Sequence, residues 1–127
     1  MIREAGNIPR VLRKEPAAEF YTEERCHILE LDNDPVDPQC SIARARVAAG
    51  VETQWHRLRD TTERYVMLEG QGEVSVGELV EPVGPGDVVL IPAGVRQKIR
   101  NTGTVDLVFL AVCTPRFQQA CYERLEF

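Results

Sequence analysis

The sequence predicts an all-β domain, a sandwich or barrel built from short strands. Three observations carry that prediction. Runs of roughly four to seven β-favouring residues recur through the chain at near-even spacing. Between them sit turn formers: Gly70-Gln71-Gly72, Gly84-Pro85-Gly86, Pro92-Ala93-Gly94 and Asn101-Thr102-Gly103. Where alternation is visible, as in Ser41 to Ala48, its period is two, the period of a strand. A length of 127 residues fits one domain and is enough to bury a core without cross-links.

Taken in order, residues 1–24 mix charge with Pro9 and Pro16 and show no sustained period, so they read as an arm with room for one strand. Cys26 to Leu31 reads as a strand, broken by Asn33-Asp34-Pro35-Val36-Asp37-Pro38, a cluster of turn formers. Ser41 to Ala48 alternates Ile42, Arg44 and Arg46 against Ala43, Ala45 and Val47, and Gly50 ends it. Gln54 to Leu58, Glu63 to Glu69, Glu73 to Val76, Asp87 to Ile91 and Val95 to Arg100 follow as strands. Val105 to Thr114 is longer and nearly all apolar, as expected of a strand covered on both faces. Only the tail, Pro115 to Leu125, reads as a short helix. The organisation is then an arm at 1–24, a barrel at 25–115 and a tail at 116–127, with no linker, repeat or low-complexity stretch.

Charge excludes some function classes. Acidic residues outnumber basic ones by 20 to 15, a formal charge of −5, which argues against a nucleic-acid surface with its clustered positive charge. Nothing approaches the apolar length of a membrane span, and Met1 to Asn7 lacks the apolar stretch of a signal peptide. Cys26, Cys40, Cys113 and Cys121 are scattered, with no C-x-x-C pair, and read as free thiols in a reducing compartment. The expected location is the cytoplasm.

Two stretches stand out by spacing. The first runs Gly50, five residues, His56, one residue, Leu58, four residues, Glu63, six residues, Gly70. The second runs Gly86, five residues, Pro92, one residue, Gly94, two residues, Gln97, three residues, Asn101. At about 7% usage each, four prescribed glycines match a fixed placement only about 2 times in 100,000. Here the chain resembles the cupin family, whose two motifs run G-x5-H-x-H-x3–4-E-x6-G and G-x5-P-x-G-x2-H-x3-N. The resemblance implies a double-stranded β-helix, a jelly-roll barrel over roughly residues 25 to 115. It also implies a metal held at four positions, here His56, Leu58, Glu63 and Gln97. Leucine has no donor atom and glutamine offers a neutral amide oxygen, so two of the four ligands have changed.

Strand geometry adds an independent reading of the same residues. Residues two apart share a face, so Gln54, His56 and Leu58 lie opposite Trp55, Arg57 and Arg59. Val95, Gln97 and Ile99 lie opposite the charged Arg96, Lys98 and Arg100, which puts Gln97 inside. Glu63 shares its face with Tyr65 and Met67. Polar groups aimed into a small barrel need partners. Two arrangements provide them. In one, His56, Glu63 and Gln97 hold a weakly bound divalent metal, a hard set that suits Mn²⁺ or Fe²⁺ better than a structural Zn²⁺. In the other, the three form a hydrogen-bonded network. Arg44 and Arg46 are anion clamps lining the pocket if their face is inward and surface charges if it is outward. Leu58, Tyr65 and Met67 complete the expected pocket lining. Trp55 points away from it, His27 reads as a strand histidine, and Cys113 as packing.

No P-loop, G-x-S-x-G or H-E-x-x-H sequence occurs. Three functions stay open: a small-molecule-binding cupin with its pocket in the barrel; a minimal metalloenzyme such as an isomerase, epimerase, decarboxylase or dioxygenase, with Glu63 as candidate general base; and a non-catalytic dimerisation module. A homodimer is expected, because Val11, Leu12, Phe20 and Tyr21 of the arm need cover and sheet edges need pairing.

Overall fold

The computed structural model describes residues 8–126, so the signal-peptide reading of Met1 to Asn7 lies outside the described residues. Two antiparallel sheets account for nearly all regular structure. In chain order the strands are β1 (Phe20–Tyr21), β2 (His27–Asp32), β3 (Ser41–Val47), β4 (His56–Leu58), β5 (Thr62–Glu69) and β6 (Gly72–Val76). There follow β7 (Leu79–Val83), β8 (Val88–Ile91), β9 (Gln97–Asn101), β10 (Leu107–Thr114) and β11 (Tyr122–Arg124). One sheet has the order β1-β2-β3-β10-β5-β8 and the other β11-β4-β9-β6-β7. This is the jelly-roll arrangement that the two motifs implied. Among the described residues, no helix is long and apolar enough to cross a membrane.

The strand expectations hold to within a few residues, with three differences. β7 was not foreseen: Glu81 and Pro82 mask its pattern, and it is an exposed edge strand joined to β6 by the Gly77-Glu78 turn. An edge position is where a strand tolerates proline. The tail holds only a short 3-10 turn at Gln119–Cys121 and then becomes β11. β11 covers the open edge of β4, and Arg57 donates to Glu123 at 3.0 Å across the pair. Gln54 and Val95 fall in the connections before β4 and β9.

The motif glycines have local reasons. Gly70 sits at φ +85°, and a Cβ there would lie 2.6 Å from the Asp106 carbonyl oxygen. Gly94 sits at φ +79°, turning the chain so that its N–H donates to Leu58 O at 2.8 Å and ties the β8–β9 turn to β4. The core fills the space between the sheets, with Val47, Leu107, Ile99, Val74 and Phe109 at 2% exposure or less. Tyr65 tilts against Phe109 at 4.4 Å between ring centroids.

On β3 the inward residues are Ser41, Ala43, Ala45 and Val47, facing Cys113, Ala111, Phe109 and Leu107 of β10. Arg44 and Arg46 therefore face outward, which removes the anion-clamp reading. Steric demand explains it, since a small barrel already filled by Tyr65, Met67 and Phe109 admits small residues opposite them. Outside, Glu19 of the arm accepts from Arg46 at 2.6 Å and lies 3.5 Å from Arg44, and Asp106 takes a second Arg46 nitrogen at 3.3 Å.

Candidate functional site

A pocket of about 470 Å³ opens into the barrel. Inward side chains of β2, β3, β4, β5 and β10 wall it, the arm contributes Phe20 to Glu24, and the tail contributes Phe117 and Tyr122. Of the residues singled out in the sequence, His56, Leu58 and Glu63 line this pocket. Tyr65, Met67 and Gln97 are buried beside it as core and are not part of its lining. Period-two alternation placed all six on the inner face, but it carries no information on depth along the barrel axis.

His56 is held from one side. Its Nδ1 lies 2.8 Å from the Gln54 carbonyl oxygen and 3.2 Å from Glu24 Oε2. A carbonyl oxygen only accepts, so Nδ1 carries the proton and Nε2, across the ring, keeps a lone pair. Tyr122 stacks on the imidazole at 5.2 Å. Burial lowers the His56 pKa, with the Gln54 carbonyl opposing that shift. Burial lifts the Glu24 carboxyl to about 7. Glu24 and Tyr122 were missed in the sequence: Glu24 sits in an aperiodic loop, and Tyr122 in a tail read as helix. The one available signal was that a buried histidine needs an orienting partner.

Glu63 stands across from Cys113 in the β5–β10 ladder. It is 8% exposed, and its Oε2 accepts from the Cys113 thiol at 3.6 Å while Oε1 has no hydrogen-bond partner. Burial raises its pKa, and His56 and then Gln97 pull it back. Gln97, paired with His56 across β4 and β9, is fully buried. Its Oε1 accepts the Tyr65 hydroxyl proton, and its Nε2 makes no hydrogen bond. Glu63 Oε1 and Gln97 Nε2 thus lack a hydrogen bond of ordinary length, while the Gln97 side chain still acts on the Glu63 carboxyl as a donor.

These donors do not fit the divalent metal that the resemblance implies. The Tyr65 hydroxyl takes one of the two lone pairs of the Gln97 amide oxygen, which as a neutral group is already a weak metal donor. Leu58 supplies nothing. Of the four motif positions, His56 Nε2 and the Glu63 carboxylate are the strong donors, one fewer than the three protein ligands of an open metal site. Among the described residues, no group of three or more His, Cys, Asp or Glu is arranged to hold an ion. All four cysteines are free, and burial raises the pKa of Cys113 and Cys26, so neither thiol is activated.

Comparison with known proteins bears on the fold and the family. A protein designated MJ1618 from Methanocaldococcus jannaschii is 34% identical over 86 residues, 68% of this chain and 69% of that one. An oxalate-binding protein from Thermotoga maritima is 34% identical over 70 residues, 55% of this chain and 58% of that one. Among solved structures, a Streptomyces PAC13 variant with uridine superposes with a TM-score of 0.76 at 15% identity, covering 94% of this chain and 93% of that one. That likeness shows the fold alone. The family profile of the cupin domain matches residues 43–113, more than half of the chain and both spaced motifs within it from His56 to Asn101. The chain belongs to the cupin family.

Proposed function

We propose that the protein binds a small polar molecule in the barrel pocket, directly through protein groups rather than through a metal. The observation that carries this reading is the pocket itself, about 470 Å³ walled mostly by apolar and aromatic side chains, with the buried His56 and Glu63 and the half-buried Glu24 among its polar groups. His56 Nε2 keeps a lone pair there, and a small polar ligand can donate to it. The changed donor set, with Leu58 and a Tyr65-bound Gln97, supports a site without Mn²⁺ or Fe²⁺.

A second reading, catalysis by proton transfer, has its own support. His56 is fixed in one tautomer by Gln54 and Glu24, the arrangement a general base requires, and it shares the pocket with Glu63. Cupin-fold enzymes exist among the structural neighbours: PAC13 is described as a nucleoside dehydratase.

The test is a melting-temperature screen of chelator-treated protein against small metabolites. A true ligand at a hundredfold excess over its Kd should raise Tm by roughly 10 °C. Glu63→Gln should reduce that shift, and Ala43→Phe, which fills the pocket, should abolish it. Binding that appears only after Mn²⁺ or Fe²⁺ is restored would reject the metal-free reading. Binding indifferent to Ala43→Phe would reject the pocket.

A further inference from the structure

The arm lies against the barrel with almost none of itself buried. From Ile8 to Tyr21 every residue is exposed except Glu19. The 3-10 turn at Pro16–Ala18 buries no residue, and β1 is only two residues long, pairing Phe20 with Ile28 and Tyr21 with His27. So short a pairing at a sheet edge does not hold a segment by itself. Little of the arm's own apolar surface is withdrawn from water to help, since Phe20 and Tyr21 are 49% and 60% exposed.

One carboxylate pins it. Glu19 accepts from Arg46 Nη2 at 2.6 Å and from Arg46 Nε at 3.4 Å, through separate oxygens. It also lies 3.5 Å from Arg44 Nη2 and 3.9 Å from His27 Nδ1. Three side chains of β2 and β3 therefore converge on it, and the two-pronged guanidinium contact is the firmest geometry for such a pair. Beyond β1 the chain is fixed again. The Gln54 N–H donates to Glu24 O at 3.1 Å, and Arg25 Nε donates to Glu52 O at 2.8 Å. This second anchor sits in a turn that holds Arg25 at φ +71°, the left-handed region that a residue with a Cβ disfavours.

The segment between the anchors is a wall of the pocket: Phe20 and Tyr21 line it, together with the buried Glu63 and Cys113. Resting on the pocket assignment above, we infer that residues 8–21 are a strap that gates the pocket, with Glu19 as its latch and the turn at Thr22 to Cys26 as its hinge. Released from Arg46 and Arg44, the strap swings about that turn and takes Phe20 and Tyr21 out of the wall. Glu63 and Cys113 then open to solvent, and a ligand enters before the wall closes round it. The latch is ionic and partly solvated, so salt loosens it without touching the core. The strap lies outside residues 43–113, which the family shares, so this gate is an addition to the common barrel.

Amide hydrogen exchange on the full chain, followed residue by residue, tests the latch without any ligand. The Thr22 N–H, bonded to Cys26 O at 2.9 Å, reports the strap, and the Thr53 N–H, bonded to Ile99 O at 2.8 Å, reports the barrel. Glu19→Gln should speed exchange at Thr22 about tenfold and leave Thr53 unchanged. Asp106→Asn, which removes the other carboxylate from the same Arg46, should change neither. In about 1 M NaCl the wild type should approach the variant, while the variant stays where it is. The gate is read at Cys113, 3% exposed in the pocket wall, whose alkylation by iodoacetamide should also rise about tenfold in Glu19→Gln. Equal Thr22 rates in wild type and Glu19→Gln, or an equal rise with Asp106→Asn, would overturn the latch. Faster exchange at Thr22 with Cys113 no more reactive would overturn the gate. Thr53 rising in step with Thr22 would mean that arm and barrel open only together, and would overturn both. A strap that opens as expected over a pocket that no screened metabolite stabilises would uphold the gate and count against the binding reading alone.

Discussion

Glu24 and His56 meet at 3.2 Å in a site that penalises charge on either of them. Burial lifts the Glu24 carboxyl from an ordinary 4.5 to about 7, so the folded chain binds this proton more tightly than the unfolded chain does. The sign follows from linkage. The stability tied to this proton is fully present below about pH 4.5 and is lost as pH rises through about 7. Wild type should therefore lose up to about 3 kcal/mol between pH 4.5 and 8 relative to Glu24→Gln, in denaturant titrations across that range. Parallel curves for the two proteins would refute the assignment. Glu24 was invisible in the sequence because no period fixes the direction of a loop residue. His56 and Gln97 were legible because the opposite faces of their strands carry Arg57 and Arg59 or Arg96, Lys98 and Arg100, and Glu63 because of its place in the spaced motif. The outward facing of Arg44 and Arg46 was legible too in hindsight: alanines and a serine alternate with them, and small residues belong where the barrel is tightest.

Between elements, the second motif's asparagine acts as a clasp. Asn101 ends β9, and its Nδ2 donates to Val47 O at 2.9 Å and to Val105 O at 2.8 Å. Its Oδ1 accepts the Gly103 N–H at 2.9 Å, so one side chain joins the ends of β3 and β9 to the loop that leads into β10. The residue is 2% exposed, which leaves no water to replace the lost bonds. Asn101→Ala should cost about 2–3 kcal/mol of unfolding free energy, measured by urea titration, with ligand affinity unchanged for the protein that remains folded. A cost under about 0.5 kcal/mol would mean the clasp is redundant. The family's asparagine position was readable from spacing, but this role was not, because it depends on where β3 ends. Most strands were readable for a simpler reason: turn glycines and prolines bracket them. β7 escaped because four of its five residues are exposed and show no alternation, and β11 because three residues are too few to show one.

At the scale of the molecule, the outer face of the six-stranded sheet sets apolar side chains beside its arginines. Ladder register sets Arg44, Leu110, Val66 and Val88 in one row, and Ile42, Val112, Arg64 and Leu90 in the next. Val88 and Leu90, on the edge strand β8, are 63% and 59% exposed. At the other side of the same sheet, Leu12 of the arm neighbours Leu31, with Val11 and Leu12 themselves exposed. Exposed apolar side chains grouped at a sheet edge, here Leu68, Val88 and Leu90, favour an interface, and an unpaired edge strand needs protection. A second copy related by a two-fold axis supplies both, since the same patch meets itself. We therefore expect a homodimer through this face, burying at least about 1,000 Å². Sedimentation at micromolar concentration should give twice the chain mass for wild type. Val88→Glu with Leu90→Glu should give a folded monomer, because both positions are at the surface and neither contributes to the core between the sheets. A wild-type mass of one chain would reject the dimer. A dimer that tolerates both glutamates but dissociates when residues 1–14 are removed would move the interface to the arm, whose Phe20 and Tyr21 stay with β2 and the pocket mouth in either case.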